Sequence, residues 1–317
     1  MSVVCNCSTG GGNTGTPSCY GIFDVTVQAI LVEYYKPDGS INGIEISGLT
    51  GGSILDQAFW DARTKDINPR TRFYPTPALK NITDERADDI TEEFEDTSSV
   101  FIQEGARAFT GLIIKGDPVM VAALQSWRCS TTGVFFIDKS GNLIGDKSRA
   151  GFLDPILLQD DSFSVSLVKG TDTTKQKVSI KFIISSLMED ANLGMIEATS
   201  ITAALKGSRG LVDVIAGTPT NVSTAGFDVQ LNTPYGGVTT PIPAEGLELA
   251  DFAANEISPT PGVEAIASVT ESATIPGFYS FVWAAAVGSG DVHQISNPAV
   301  GPLDKNFDLN AFNVTTP

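Results

Sequence analysis

The 317-residue sequence predicts a mainly β protein: a β-sandwich or barrel-like module with one or two short helices, followed by a smaller β-sandwich. Three observations predict it. Glycine (31) and proline (17) are plentiful beside many Val, Ile, Thr and Phe residues, which favours short strands joined by turns. Several segments alternate apolar and polar residues with period two, the signature of half-buried strands. Charge and strand character also shift near Leu211, which marks a boundary between two modules.

Taken in order, residues 1–20 read as an N-terminal arm. Its Ser8-Thr-Gly-Gly-Gly-Asn-Thr-Gly-Thr-Pro17 stretch is low in complexity and cannot bury apolar surface alone. Residues 21–212 form the larger module. An apolar run over 23–35 reads as a strand, Lys36-Pro-Asp-Gly-Ser40 as a turn, and 41–46 as a returning strand. Ser53 caps a helix to about Lys65, in which Ile54, Leu55, Ala58, Phe59 and Ala62 recur at helical spacing. Residues 70–80, with two prolines, read as extended loop. Residues 84–96 are strongly acidic, and 100–114 read as strand.

Asp117-Pro118 is a helix-start signal, with the carboxylate as cap and proline at the first helical position, for a helix to about Trp127. Residues 133–146 read as a hairpin around Asp138-Lys-Ser-Gly141. Two alternating strands follow: Phe163, Val165 and Leu167 share one face, and Val178, Ile180, Phe182 and Ile184 another. Residues 213–300 form the second module, in which Phe227, Val229 and Leu231 alternate with Asp228 and Gln230. Tyr279, Phe281 and Trp283 likewise alternate with Ser280 and Val282. Residues 301–317 read as a tail.

The net charge is −17. Tight nucleic-acid binding is not expected of such a chain, because phosphate contacts need Lys and Arg to displace counterions. The same charge suits a passage through which DNA slides without adhering. From Asp213 onward there are 11 acidic residues and one base, Lys305; the remainder holds 26 acids and 19 bases. No stretch approaches the roughly 20 apolar residues of a membrane span, so no membrane partner is expected. Met1-Ser-Val-Val-Cys-Asn-Cys lacks a basic start and an apolar core and does not read as an export signal.

Catalytic chemistry is thinly represented, and no enzyme activity is expected. His293 is the only histidine and reads as a strand residue of the second module, so Ser-His or Cys-His arrangements have little to draw on. The carboxylates Asp88, Asp89, Glu92, Glu93, Glu95 and Asp96 read as a solvated face or calcium-tolerant loop without EF-hand spacing. The candidates nearest to a metal-ligating set are Cys5, Cys7 and Cys19. Their Cys-x-Cys-x11-Cys pattern departs from the paired C-x2–4-C of zinc sites, so no metal or cofactor is expected. A reduced cluster and an inter-subunit disulfide stand as the alternatives for these thiols. Cys129 reads as buried and structural, and Trp60, Trp127 and Trp283 as core.

The C-terminal stretch resembles the immunoglobulin-like modules of phage virion proteins and bacterial surface proteins. The resemblance rests on Phe227-Asp-Val-Gln-Leu, Gly246-Leu-Glu-Leu-Ala-Asp-Phe, Ala265-Ile-Ala-Ser-Val-Thr-Glu, Gly277-Phe-Tyr-Ser-Phe-Val-Trp and Ser289-Gly-Asp-Val. It lacks the cysteine pair of antibody domains. The larger module resembles tailed-phage virion structural proteins of the tail-tube (major tail) kind. That likeness is carried by Cys5-Asn-Cys-Ser-Thr-Gly-Gly-Gly-Asn-Thr-Gly-Thr-Pro, Phe109-Thr-Gly-Leu-Ile-Ile, Phe136-Ile-Asp-Lys-Ser-Gly-Asn-Leu-Ile-Gly and Leu167-Val-Lys-Gly-Thr-Asp-Thr-Thr.

The resemblance implies a β-sandwich with a flanking helix that stacks as homo-oligomeric rings around a DNA conduit. It implies other virion proteins as partners and assembly in the host cytoplasm into the virion, with the immunoglobulin-like domain facing outward. The arm and long hairpins, such as one near Gly51, are expected to bridge rings. A capsid decoration or head-fibre protein is the alternative, and a cell-surface adhesin or carbohydrate-binding protein a further one.

Overall fold

The computed structural model describes residues 22–46, 55–95, 99–237, 239–299, 302–303 and 305–317. The chain is mainly β, with two α-helices among the described residues. It divides into two compact units, the first drawn from the chain up to Trp60 and from Phe73–Arg209, the second from Asp61–Arg72 and Gly210–Pro317. The N-terminal arm, the stretch around Gly51 and Ser53, Asp96 and Gly301 lie outside the described residues.

As far as Arg209, the chain begins with β1 (Thr26–Glu33), β2 (Ile44–Glu45), α1 (Gln57–Thr64), β3 (Tyr74–Pro75) and β4 (Leu79–Arg86). Then come β5 (Ile90–Glu93), β6 (Ser99–Gln103), β7 (Arg107–Ile114) and α2 (Pro118–Gln125). β8 (Thr132–Asp138), β9 (Leu143–Asp146), β10 (Phe152–Leu153), β11 (Ile156–Leu157), β12 (Ser164–Val168), β13 (Lys177–Ile184) and β14 (Leu193–Ile196) complete it.

One sheet runs β14-β9-β8-β1-β3, with β11 also on β8, and a second runs β12-β13-β7-β4. The centre of the first sheet is covered on both faces. Ala29, Leu31, Val134 and Phe136 point into one core, which the second sheet fills with Phe109, Ile113, Val178, Ile180 and Phe182. Ile30, Val32, Phe135 and Ile137 point into the other core, with Trp60, Phe73 and Leu143. That is why every residue of β8 is buried and its apolar run is continuous rather than alternating. β13 lies over one core only, so it alternates as its sequence predicts. Phe182 anchors the first core, with Phe109 stacked at 4.8 Å and Phe163 at 5.9 Å.

The helices follow local chemistry. Asp117 accepts from the Val119 N–H at 2.8 Å, Pro118 opens α2, and a 3-10 turn over Ser126–Cys129 ends it. Trp127 packs edge-on against Tyr74 at 5.0 Å. For α1, Asp56 accepts from the Phe59 N–H at 2.7 Å, and the helix begins one residue later, at Gln57. Within the expected loop at 70–80, Tyr74-Pro75 pairs with β1 and Leu79 already belongs to β4.

The second unit contains β15 (Val212–Ala216), β16 (Thr220–Ser223), β17 (Gly226–Gly237), β18 (Thr240–Pro243), β19 (Ala253–Ser258) and β20 (Gly262–Glu264). It continues with β21 (Ile266–Glu271), β22 (Phe278–Trp283), β23 (Val292–Ser296), β24 (Phe307–Leu309) and β25 (Phe312–Thr315). One sheet runs β21-β22-β17-β15-β24, with β16 and β18 also on β17, and the other β20-β19-β23-β25. The two sheets form the smaller β-sandwich that the sequence predicts. Phe227, Val229 and Leu231 face the core beside Tyr279, Phe281 and Trp283, opposite Ala254, Ile295 and Val314.

The reading of 301–317 as a tail is corrected. β24 pairs in parallel with β15, β25 pairs with β23, and Leu309 and Val314 are buried. These strands are three and four residues long, too short for their alternation to stand out beside Asn and Thr.

Candidate functional site

In the first unit, the β4–β7 hairpin outgrows its sheet. Beyond Arg86 and before Arg107 its two strands continue as β5 and β6, joined by an Ala87 N–H to Ala106 carbonyl bond of 2.9 Å. At about 3.3 Å per residue this ribbon reaches roughly 20 Å past the last residues of β4 and β7. Gly105 makes the transition possible: a Cβ there would stand 1.9 Å from the Ala87 carbonyl oxygen. Its N–H donates to Asp89 Oδ1 at 3.1 Å.

The base of the ribbon is clamped by charge. Arg107 grips Asp84 in a fork, Nε to Oδ1 and Nη2 to Oδ2, both at 2.7 Å. Its Nη1 donates to Asp190 Oδ1 at 2.8 Å, and Arg86 Nη2 meets Asp190 Oδ2 at 2.9 Å. Arg86 also pairs with Glu104. The hydrogen bonds that Arg107 donates to Asp84, and behind them the charges of Asp84 and Asp190, hold the Arg107 guanidinium above its ordinary value. Such pairs are individually weak when exposed, about 0.2–1 kcal/mol each. Arg86 and Arg107 together tie the ends of β4 and β7 to Asp190.

Past the clamp, every residue of β5 and β6 is exposed. Val100, Phe101 and Ile102 are 53%, 56% and 54% exposed, and Ile90 and Phe94 are close behind. Glu92 stands opposite Val100, and Glu93 opposite Ser99. Residues 87–103 contain no Lys or Arg. The ribbon is thus apolar and acidic together, and neither face has a core of its own, a state in which an isolated two-stranded hairpin is marginal in water.

The outward face of the β12-β13-β7-β4 sheet has the opposite charge. Register sets its rows: Val168, Lys177 and Ile114; Ser166, Ser179, Leu112 and Lys80; Ser164, Lys181, Thr110 and Thr83. Glu85 and Ala108 share the last row with Ile183. Among the described residues Lys80, Lys177 and Lys181 make no ion pair.

The candidates singled out in the sequence are not brought together. Cys5, Cys7 and Cys19 lie outside the described residues. Cys129, expected to be buried, is exposed, because it ends the 3-10 turn rather than facing the sheet. His293 lies in β23 and is fully buried 4.8 Å from the Trp283 ring, and neither imidazole nitrogen has a hydrogen-bond partner among the described residues. Trp60 and Trp283 are core residues, while Trp127 is half-buried against the core. Asp88, Asp89, Glu92, Glu93 and Glu95 are solvated as expected, but they belong to half of a ribbon rather than a loop. The missed elements are Val100, Phe101 and Ile102, which merge with β7 into one apparent strand. Gly105 is the signal that separates them.

The chain matches no family model, no curated protein and no solved structure.

Proposed function

We propose that this chain is a structural virion subunit, of the tail-tube kind, that assembles with copies of itself into rings forming the conduit for DNA ejection. The observation that carries this reading is the ribbon, clamped at its base, which exposes Val100, Phe101 and Ile102. An exposed apolar projection on a folded unit is costly alone and gains from docking. The two-sheet core with α2 packed on it supplies the subunit body. The excess of acids over bases before residue 213 suits a lumen that DNA must not wet. The more one-sided charge of the immunoglobulin-like unit suits display to solvent. Other virion proteins are the further partners this reading entails.

Electron microscopy of the purified protein tests it. Rings or tubes are expected, and monomers that never assemble, even with other tail components, contradict it. Labelling on heads rather than tails would favour a decoration or head-fibre subunit.

A further inference from the structure

We propose that the β5–β6 ribbon of one copy docks on the lysine-bearing outer face of the β12-β13-β7-β4 sheet of a second copy. The proposal rests on the self-assembling reading above and deepens it by naming the two surfaces. Both belong to the first unit, and each has what the other lacks. The ribbon face that bears Val100 also bears Glu92, its cross-strand partner, while Phe101 and Glu93 lie on the reverse face. The sheet face offers Leu112, Ile114 and Val168 flanked by Lys80, Lys177 and Lys181.

The lysines sit two residues apart across adjacent rows, and Lys177 and Lys181 lie four residues apart along β13, about 13 Å at strand rise. Seating the Val100 face brings aliphatic on aliphatic in the middle and the Glu92 carboxylate beside ammonium at the rim, the arrangement of an ordinary interface. Because the two surfaces differ, the contact is heterologous. It therefore propagates from copy to copy and closes as a ring or continues as a filament.

The same complementarity argues against a nucleic-acid occupant for the ribbon, whose carboxylates repel phosphate. It also disfavours two ribbons pairing with each other, which would set Glu92 and Glu93 against like charges.

Charge reversal in the full chain, followed by sedimentation velocity over a concentration series, tests the proposal. The wild-type chain is expected to self-associate. Glu92→Lys with Glu93→Lys is expected to raise the half-association concentration about tenfold or more, as is Lys177→Glu with Lys181→Glu. A chain carrying all four changes is expected to return to within about threefold of wild type, and an equimolar mixture of the two double variants to form heterologous pairs. Far-UV circular dichroism confirms that each variant is folded.

If the wild type assembles but the four-change chain is no better than its parents, the docking inference is overturned and the assembly reading stands. If the ribbon variants associate as well as wild type, the docking is likewise overturned. A wild type that stays monomeric throughout overturns both.

Discussion

Arg72 donates from Nη1 to Asp308 Oδ2 at 2.5 Å, and its side chain is only 5% exposed. Its Nε donates to the Asp66 carbonyl and Nη2 to that of Ile67, while Asp308 also accepts from Asn297 at 2.6 Å. The pair therefore pins the 61–72 segment to β24 within the second unit. Arg72→Met leaves two carbonyls and a half-buried carboxylate without their donor. The expected loss is about 2–4 kcal/mol in the urea transition followed by Trp283 fluorescence. Arg72→Lys recovers only part, because an ammonium cannot reproduce the fork.

Tyr279 pins a second point of the same sandwich. Its hydroxyl donates to the Ala244 carbonyl at 2.8 Å and accepts from the Leu247 N–H at 3.1 Å, fully buried. Burial pushes its phenol well above the ordinary value. Tyr279→Phe removes both bonds while keeping the ring, at an expected cost of about 1–3 kcal/mol by denaturant titration. No change in stability contradicts the pin.

His293 makes the opposite prediction. An imidazole buried with no hydrogen-bond partner among the described residues is a liability, so His293→Leu is expected to raise stability by up to about 2 kcal/mol. A fall in melting temperature would show that the ring's contact with Trp283 outweighs the unmet polar groups.

Asp228 supplies a pH dependence. Its carboxylate is held below the ordinary value, first by the Asn221 side chain at 2.6 Å and then by Ser280. The folded value lies under the unfolded one, so this contribution is present above the unfolded value of about 3.9 and is lost as pH falls through the folded value. The melting-temperature gap between wild type and Asp228→Asn is expected at pH 6 and to close as pH is lowered below 4.

In the first unit, Phe182 stacks on Phe109 and Phe163 with no exposed surface to spare. Phe182→Ala is expected to cost about 3–5 kcal/mol, read from the first unit's unfolding transition.

Much of the fold was legible where one physical rule acted alone. Val178, Ile180, Phe182 and Ile184 alternate because β13 covers one core, and Asp117-Pro118 starts a helix because capping is local. The strands β24 and β25 were not legible, since three or four residues pairing with distant strands leave no period to read. The candidate site was half legible. Its acidic strand was visible as solvated charge, but its apolar strand ran into β7, and the lysines of the sheet face reach one surface only through the register of four strands. Cys129 was misread because a thiol after a helix is buried only if the chain turns inward there.

The central claim is self-assembly through the first unit. Negative-stain electron microscopy of the purified full chain, at increasing concentration and low salt, tests it most directly. The account predicts closed rings or stacked tubes that disappear in the Glu92→Lys, Glu93→Lys variant. A field of monomers at every concentration, alone and with other tail components, would contradict it.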